Sequence, residues 1–327
     1  MRKSARTLLA VVVFAAACGG QPAVAVTSQP TAPASATTAV GTGPGASAAP
    51  PAAELRCRLP ISSSALPGTA GFITFPGGMF KLDPTSNPTL PGYGDSSFVN
   101  GYTYDLNRSR WLPTTRTAVA ADGSAYTYWD GTFHVFNLDS GADSPLATPP
   151  GWDHLMEPPT IFELAPEGVY VSSGTRGLWL LSSQGEHQVT ADAYWDAVAN
   201  GAAWGRPTNA YSGPSAVYSI LRLDLKTGVA EPWFTQVGVR QVVGVDLHGD
   251  PIVMVTPDST GFELWIVTAR DHGTRIYSTT SGGLETPVIG DSHGIWFESS
   301  PWLYLYSPDT GARQMAPDRS GLAGACG

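Results

Sequence analysis

The side chains best suited to chemistry in this chain are aromatic rings interspersed with carboxylates and a histidine. One ligand face would gather Trp129, Trp152, Asp153, His154, Glu157, Trp195, Asp196, Tyr211 and Trp302. Aromatic faces bind the CH surfaces of sugars and attract cations, and carboxylates at the rim favour the same ligands. The same rings could instead fill a core, which is their more frequent role in repeated β-structure. The sequence therefore predicts a candidate face for glycans or cations, with packing as the competing interpretation.

No catalytic signature accompanies these residues. The sequence contains no HExxH, CxxC or EF-hand motif, and no GxSxG elbow or phosphate loop follows a strand. For Asp153, His154 and Glu157, no matching third ligand can be named that would complete a metal site. Solvated loop residues are therefore the simpler interpretation. We assign no catalytic residue, predict no metal or cofactor, and leave Ca²⁺ open as a ligand of the carboxylates.

Two histidines share a position in the chain's repeat. His248 and His293 each precede a glycine, as Asp122, Glu167 and Asn200 do. A polar residue before a turn glycine is ordinary turn chemistry, and we favour that over a two-histidine metal site.

The elements that must position these residues follow from an internal repeat. A glycine six times precedes a strand rich in aromatic and β-branched residues, at Gly71, Gly123, Gly168, Gly201, Gly249 and Gly294. A second series of glycines ends an apolar strand, at Gly141, Gly185, Gly228, Gly273 and Gly311. Most intervals in both series are close to 45 residues, the length of one β-propeller blade.

Each period divides into four antiparallel strands, the first of them made of small residues. Those first strands are predicted at Thr117 to Ala121, Ile161 to Ala165, Ala197 to Ala199, Val242 to Val245, and Val288 to Ile289. Small side chains suit the crowded centre of a propeller, and larger rings fill the widening space outside. The pattern predicts an all-β, six-bladed propeller over residues 57–327, with a β-sandwich as the alternative fold.

Short motifs add a resemblance to known propellers. The turns Lys226-Thr227-Gly228 and Asp309-Thr310-Gly311 are similar to those of TolB-like and YVTN-type surface-layer propellers, and Gly77-Gly78 with Tyr104 and Trp111 resembles one kelch unit. The resemblance implies a propeller architecture and transfers no function.

The N-terminal residues predict export. Residues 1–17 combine a positive start with a short apolar run, as signal peptides do. Ala15-Ala16-Ala17-Cys18-Gly19 resembles a bacterial lipobox, which implies diacylglycerol on Cys18 and a location on the outer surface of the cell membrane. Ordinary cleavage after an Ala-x-Ala stretch is the alternative. Residues 18–56, rich in Ala, Pro, Thr, Ser and Gly, are expected to form a disordered linker.

The three cysteines support this interpretation. If Cys18 carries lipid, Cys57 and Cys326 remain at the two ends of the folded domain, where a disulfide would join them. The alternative is two unpaired thiols.

Composition and charge restrict the classes of partner that the protein could bind. The net charge of −9 and the lack of a basic run exclude nucleic acid as a partner. We therefore expect a monomeric, lipid-anchored binding or protein-interaction module with a protein or glycan ligand. The alternative is a propeller-type hydrolase or lyase that acts on a sugar, a lactone or a cell-envelope substrate.

Overall fold

The computed structural model describes residues 54–62, 68–86, 89–92, 102–152, 159–191, 193–208, 217–257, 261–319 and 321–327. These residues form an all-β ring of six blades, built mostly from four-stranded antiparallel sheets. The propeller predicted from the repeat is confirmed. Among these residues, no helix is both long enough and apolar enough to cross a membrane.

The first blade is a composite. It contains the sheet β1 (Cys57–Ser62), β2 (Ala70–Phe75) and β3 (Met79–Leu82), and the ribbon β4 (Thr103–Asp105) and β5 (Arg110–Leu112). The C-terminal residues 321–327 join the two parts. The amides of Arg58 and Ser62 donate to the carbonyls of Gly327 and Gly321, both at 2.8 Å, and the Tyr104 amide donates to the Ala323 carbonyl at 2.8 Å. We call this junction of the two ends of the propeller domain the seam.

The second blade is nearly regular. It contains β6 (Ala125–Trp129), β7 (Phe133–Asn137) and β8 (Asp143–Pro145). Where the sequence predicts a first strand, the structure has a 3-10 turn, Arg116–Ala118, followed by a single bridge from Val119 to Tyr126.

Blades 3 to 6 each contain the four strands that the sequence predicts, in the order inner to outer. Their bounds are β9 (Thr160–Ala165), β10 (Gly168–Ser172), β11 (Leu178–Ser182) and β12 (Gly185–Thr190); β13 (Ala193–Ala199), β14 (Ala202–Pro207), β15 (Val217–Asp224) and β16 (Ala230–Val237); β17 (Val239–Val245), β18 (Pro251–Val255), β19 (Phe262–Ala269) and β20 (His272–Thr279); and β21 (Leu284–Asp291), β22 (Gly294–Ser299), β23 (Trp302–Ser307) and β24 (Gly311–Pro317).

The repeated glycines have two different roles. Gly123, Gly168, Gly201, Gly249 and Gly294 take positive φ, which tight turns require and which glycine adopts at little cost. Gly71 differs from the expectation, because it lies within β2. A Cβ there would be 2.2 Å from the Lys81 carbonyl oxygen, so the close approach of β3 explains this glycine.

The core is divided among the spaces between neighbouring blades. Trp296 and Phe75 stack between blades 6 and 1, with ring centres 5.5 Å apart. Phe297 and Ile252 belong to the cluster between blades 5 and 6. Large apolar side chains thus fill the outer wedges and leave small ones near the axis, as the sequence pattern predicts.

Candidate binding site in the axial cavity

The inner edges of the blades surround a cavity of about 990 Å³, which we call the axial cavity. Each inner strand of blades 3 to 6 pairs on one side only, so the backbone groups of its other edge are directed toward the axis. Small residues keep this space open, among them Ala121, Ala197, Ala199, Gly244 and Gly290. A volume of this size is typical of ligand pockets.

The inner strands are irregular where they line the cavity. All four of them, in blades 3 to 6, shift register against their partner strand, whereas β1 pairs with β2 without a shift. In β13 the shift falls between Trp195 and Ala197, which leaves Asp196 as the extra residue. Such bulges re-aim a side chain and are frequent beside functional sites.

Asp196 is held by two polar partners. Its carboxylate lies 3.6 Å from Arg206 Nη2 and accepts the Val242 amide at 3.2 Å, and its side chain is 11% exposed. Burial raises the pKa of Asp196 to about 6, although Arg206 and the Val242 amide act in the opposite direction. This carboxyl group therefore titrates near neutral pH.

Three further charged side chains line the cavity, among them Asp246 of blade 5, whose Oδ1 accepts the amides of His248 and Asp250. Arg116 Nη1 donates to the Gly290 carbonyl at 3.1 Å, and the exposed residue lines the cavity. Burial among neighbouring residues lowers the pKa of Arg116, while Asp291 opposes the change, and a guanidinium remains charged in either case. Glu163 on β9 is half-buried, and burial followed by the nearby Glu167 raises its pKa.

The tryptophans of the predicted ligand face lie mostly in the core. Trp129 and Trp152 are 3% and 1% exposed, in the cluster between blades 2 and 3. Trp129 contacts Phe133 at a ring-centre distance of 4.5 Å, and Trp152 lies 6.2 Å from Trp179. The structure brings these two rings together as packing residues, with their faces covered.

Of the other members of that face that the structure describes, Trp195 and Asp196 line the axial cavity and Trp302 does not. Trp195 is buried between blades 3 and 4, and Trp302 is half-buried at the start of β23. The predicted inner strand of blade 4 begins at Ala197, but β13 begins at Ala193, so Asp196 lies within the strand and not in the expected loop between blades. Cys18, Asp153, His154, Glu157 and Tyr211 lie outside the described residues.

The described residues contain no group of three or more His, Cys, Asp or Glu side chains placed to hold a metal ion. His248 and His293 occupy equivalent turns in blades 5 and 6, as the repeat predicts. The amide of each donates to an aspartate two residues earlier, at 2.8 Å, which is turn chemistry.

Cys57 and Cys326 lie at disulfide distance, with their Cα atoms 5.5 Å apart. This agrees with the pairing predicted from the cysteine count, and it places the bond at the seam.

Sequence reasoning did not select Arg116 or Glu163. A signal for Glu163 was present, since it is a single charge within a predicted inner strand of apolar and small residues. Arg116 directly precedes the predicted first strand of its blade, but the 3-10 turn that directs it into the cavity was not evident from the pattern.

No protein-family model matches the chain, and no curated protein matches it. Solved structures with a similar fold include a protein from Agrobacterium tumefaciens described as TolB, with 11% identity, 82% of this chain and 91% of that chain covered, and a TM-score of 0.47. A gluconolactonase from Xanthomonas campestris has 14% identity, covers 61% and 74%, and has a TM-score of 0.40. An oligogalacturonate lyase in complex with manganese has 14% identity, covers 68% and 67%, and has a TM-score of 0.42. By its own sheets the chain is a six-bladed β-propeller; its structural neighbours include TolB as well as hydrolase and lyase propellers, and the likeness extends to the fold alone.

Proposed function

We propose that this protein is a binding module, anchored by lipid at Cys18 on the outer surface of the cell membrane, that holds a polar ligand in the axial cavity. The main support is a cavity of about 990 Å³ into which both a guanidinium and carboxylates project. Unpaired backbone groups at the inner strand edges supply further donors and acceptors. Two of these backbone groups already bind side chains, namely the Gly290 carbonyl and the Val242 amide.

Blocking the cavity tests where the ligand binds. The full-length chain would be screened by thermal shift with amino acids, dipeptides, oligosaccharides and CaCl₂, because a ligand that binds only the folded state raises the melting temperature. Thr117→Trp places a large ring in the cavity from an exposed position, and we expect it to abolish the shift.

Gln184→Trp is the matched control, since it adds the same ring to an exposed turn outside the cavity. It should leave the shift unchanged. The proposal fails if no class of ligand changes the melting temperature, or if the shift persists in Thr117→Trp.

The anchor has its own test. Cys18→Ser should move the protein from the membrane fraction to the medium or periplasm, while the wild type stays with the membrane. Equal membrane association of both forms would contradict lipid attachment at Cys18.

A propeller-type hydrolase or lyase is the second candidate, and Asp196 favours it. A carboxyl group with a pKa of about 6 is suited to general acid or base catalysis near neutral pH. Turnover of a sugar, lactone or cell-envelope substrate that Asp196→Asn abolishes, while ligand binding is retained, would replace the binding module with an enzyme.

A further inference from the structure

Three of the four charged side chains that line the axial cavity lie on three successive blades. Arg116 comes from blade 2, Glu163 from blade 3 and Asp196 from blade 4. Across the cavity, the lining from blades 5, 6 and 1 includes one charged residue, Asp246, and neutral residues such as Gln241 and Thr103. One wall of the cavity therefore carries most of the charge.

The three groups differ in how far the protein already satisfies them. Asp196 has Arg206 and the Val242 amide as partners. Within the described part of the chain, the Glu163 carboxylate accepts no hydrogen bond and forms no ion pair, and the Arg116 side chain makes one hydrogen bond, to the Gly290 carbonyl. Because a guanidinium carries five N–H donors, most of the binding capacity of Arg116 is unused.

Arg116 and Glu163 lie on neighbouring inner segments, since the 3-10 turn packs against β9. They have opposite charges and line the same cavity, yet they form no ion pair with each other. Arg116 is exposed and Glu163 is half-buried, so both side chains keep binding capacity that is open to a ligand in the cavity. A ligand with one negative and one positive group would pair with both side chains.

The shapes of the two groups determine the order of charges on such a ligand. The planar guanidinium of Arg116 binds a carboxylate through two parallel hydrogen bonds. The Glu163 carboxylate accepts hydrogen bonds and favours an ammonium group. Hydroxyl side chains on the same segments as the two charges, Thr117 and Thr160, suit the polar atoms between the two charges.

We propose that Arg116 and Glu163 form a binding site in the axial cavity for a small zwitterion, a free α-amino acid or a short peptide, with its carboxylate on Arg116 and its ammonium group on Glu163. This inference rests on the function proposed above and specifies the ligand class of the same cavity. Both ligand sources present the same pair of charges, and the cavity has room for either.

Blocked dipeptides test the two contacts separately. Calorimetric titration of the full-length chain would compare L-alanine, L-alanyl-L-alanine, the N-acetyl dipeptide, the dipeptide amide, and the dipeptide blocked at both ends. We expect the zwitterionic form to bind at least about tenfold more tightly than either singly blocked form, a difference of about 1.4 kcal/mol, because each block removes one charge-assisted contact. Whichever of L-alanine and L-alanyl-L-alanine binds more tightly shows whether the natural ligand is a free amino acid or a short peptide.

Two variants assign each charge to its residue. Glu163→Gln should lose the preference for the free amine over the N-acetyl form and keep the preference for the free carboxylate. Arg116→Gln should show the reverse. Glu186→Gln and Arg313→Gln, at exposed positions on outer strands, are the charge-matched controls and should keep both preferences. Unfolding curves of all four variants establish that each is folded.

The outcomes separate this inference from the function on which it rests. If sugars or cations bind and Thr117→Trp blocks them, while the zwitterions do not bind, the module stands and the ligand class is wrong. If blocked and free dipeptides bind equally, or if either preference survives its variant, the site assignment is wrong. If nothing binds, both proposals fail.

Discussion

Two turns with the same sequence pattern, Asp-x-His-Gly, have different tasks in blades 5 and 6. In each, the aspartate Oδ1 accepts the amide of the histidine two residues later, at 2.8 Å for both Asp246 and Asp291. Asp246 uses the same oxygen for the Asp250 amide, 2.9 Å away. Asp291 adds a second set of bonds, because its Oδ2 accepts Trp296 Nε1 at 2.9 Å and the Cys326 amide at 2.8 Å.

This difference distinguishes an ordinary blade from the seam. Within blades 3 to 6, hairpins and packing hold neighbouring strands together. At the seam the two ends of the domain meet without a hairpin, and specific bonds take its place. The Cys57 and Cys326 sulfurs lie at disulfide distance, and the Asp291 carboxylate accepts the Cys326 amide. The Thr103 hydroxyl donates to the Ala323 carbonyl at 2.7 Å. The Asp-x-His-Gly turn of blade 6 therefore also binds the C-terminal segment, through Asp291.

The disulfide is expected to have the largest effect on the seam. A bond that closes a loop of 269 residues restricts the unfolded chain, and its loss in Cys57→Ser/Cys326→Ser should lower the free energy of unfolding by up to about 5 kcal/mol. Urea unfolding measures this loss. A reductant should shift the wild type by a similar amount and leave the variant unchanged; a reductant-sensitive variant would show that another effect is responsible.

The two aspartates test the comparison directly. Asp291→Ala leaves a buried indole N–H and a buried amide without their acceptor, which should cost about 3 kcal/mol. Asp246→Ala, in the same turn pattern, should cost about 1 kcal/mol because it affects turn amides alone. Equal losses in thermal unfolding would mean that the second set of bonds at Asp291 adds nothing.

Glu298 is a seam contact that destabilises the fold when it is charged. The side chain is 1% exposed, and its Oε2 accepts the Gly321 amide at 2.8 Å. Burial, together with the neighbouring Asp318 carboxylate, raises the pKa of Glu298 from its ordinary 4.5 to about 7, against the lowering effect of the Gly321 amide. The folded chain therefore binds this proton more tightly than the unfolded chain does.

It follows that stabilisation by the protonated Glu298 is complete below pH 4.5 and is lost as pH rises through about 7. Glu298→Gln keeps an acceptor for Gly321 and removes the titration, so at pH 8 it should raise the free energy of unfolding by on the order of 2 kcal/mol. At pH 4 the two proteins should be equally stable. Melting temperatures between pH 4 and 8 measure the difference, and parallel curves would refute the assignment.

Thr103 should give the smallest effect. Thr103→Val removes the buried bond to Ala323 and should cost about 1 kcal/mol. Thr114→Val removes a similar buried bond, 2.6 Å long, to the Thr127 carbonyl within blade 2, and should cost about as much. Only Thr103→Val should accelerate hydrogen exchange of the Cys326 and Gly327 amides, because local opening follows the contacts of each segment. Identical exchange in both variants would remove Thr103 from the seam.

The regular blades were the most predictable part of the fold. Turn glycines such as Gly168 and Gly294, followed by apolar runs, identified the hairpins because each hairpin is a local structure with its own sequence signal. Blade 1 was less predictable, since Tyr104 and Arg58 meet only through a C-terminal segment more than 200 residues away in the chain. No local pattern records such a pairing.

The candidate site was predicted less well for the same reason. Trp129 and Trp152 have the residue type of a ligand platform, but whether a ring is covered depends on the neighbouring blade. Asp196 was selected, although in the wrong element, and the register shift that aims it into the cavity depends on pairing with β14.

By itself, the sequence determined the all-β class, the repeat, the small inner strands and the cysteine pair, because strand patterns, turn chemistry and residue counts are properties of short segments or of composition. Only the tertiary structure decided which charges share the axial cavity, which aromatic rings are covered, and that Asp291 rather than Asp246 holds the C-terminus. Those outcomes depend on which distant segments meet when the ring closes, and on the burial that this closure imposes on each side chain.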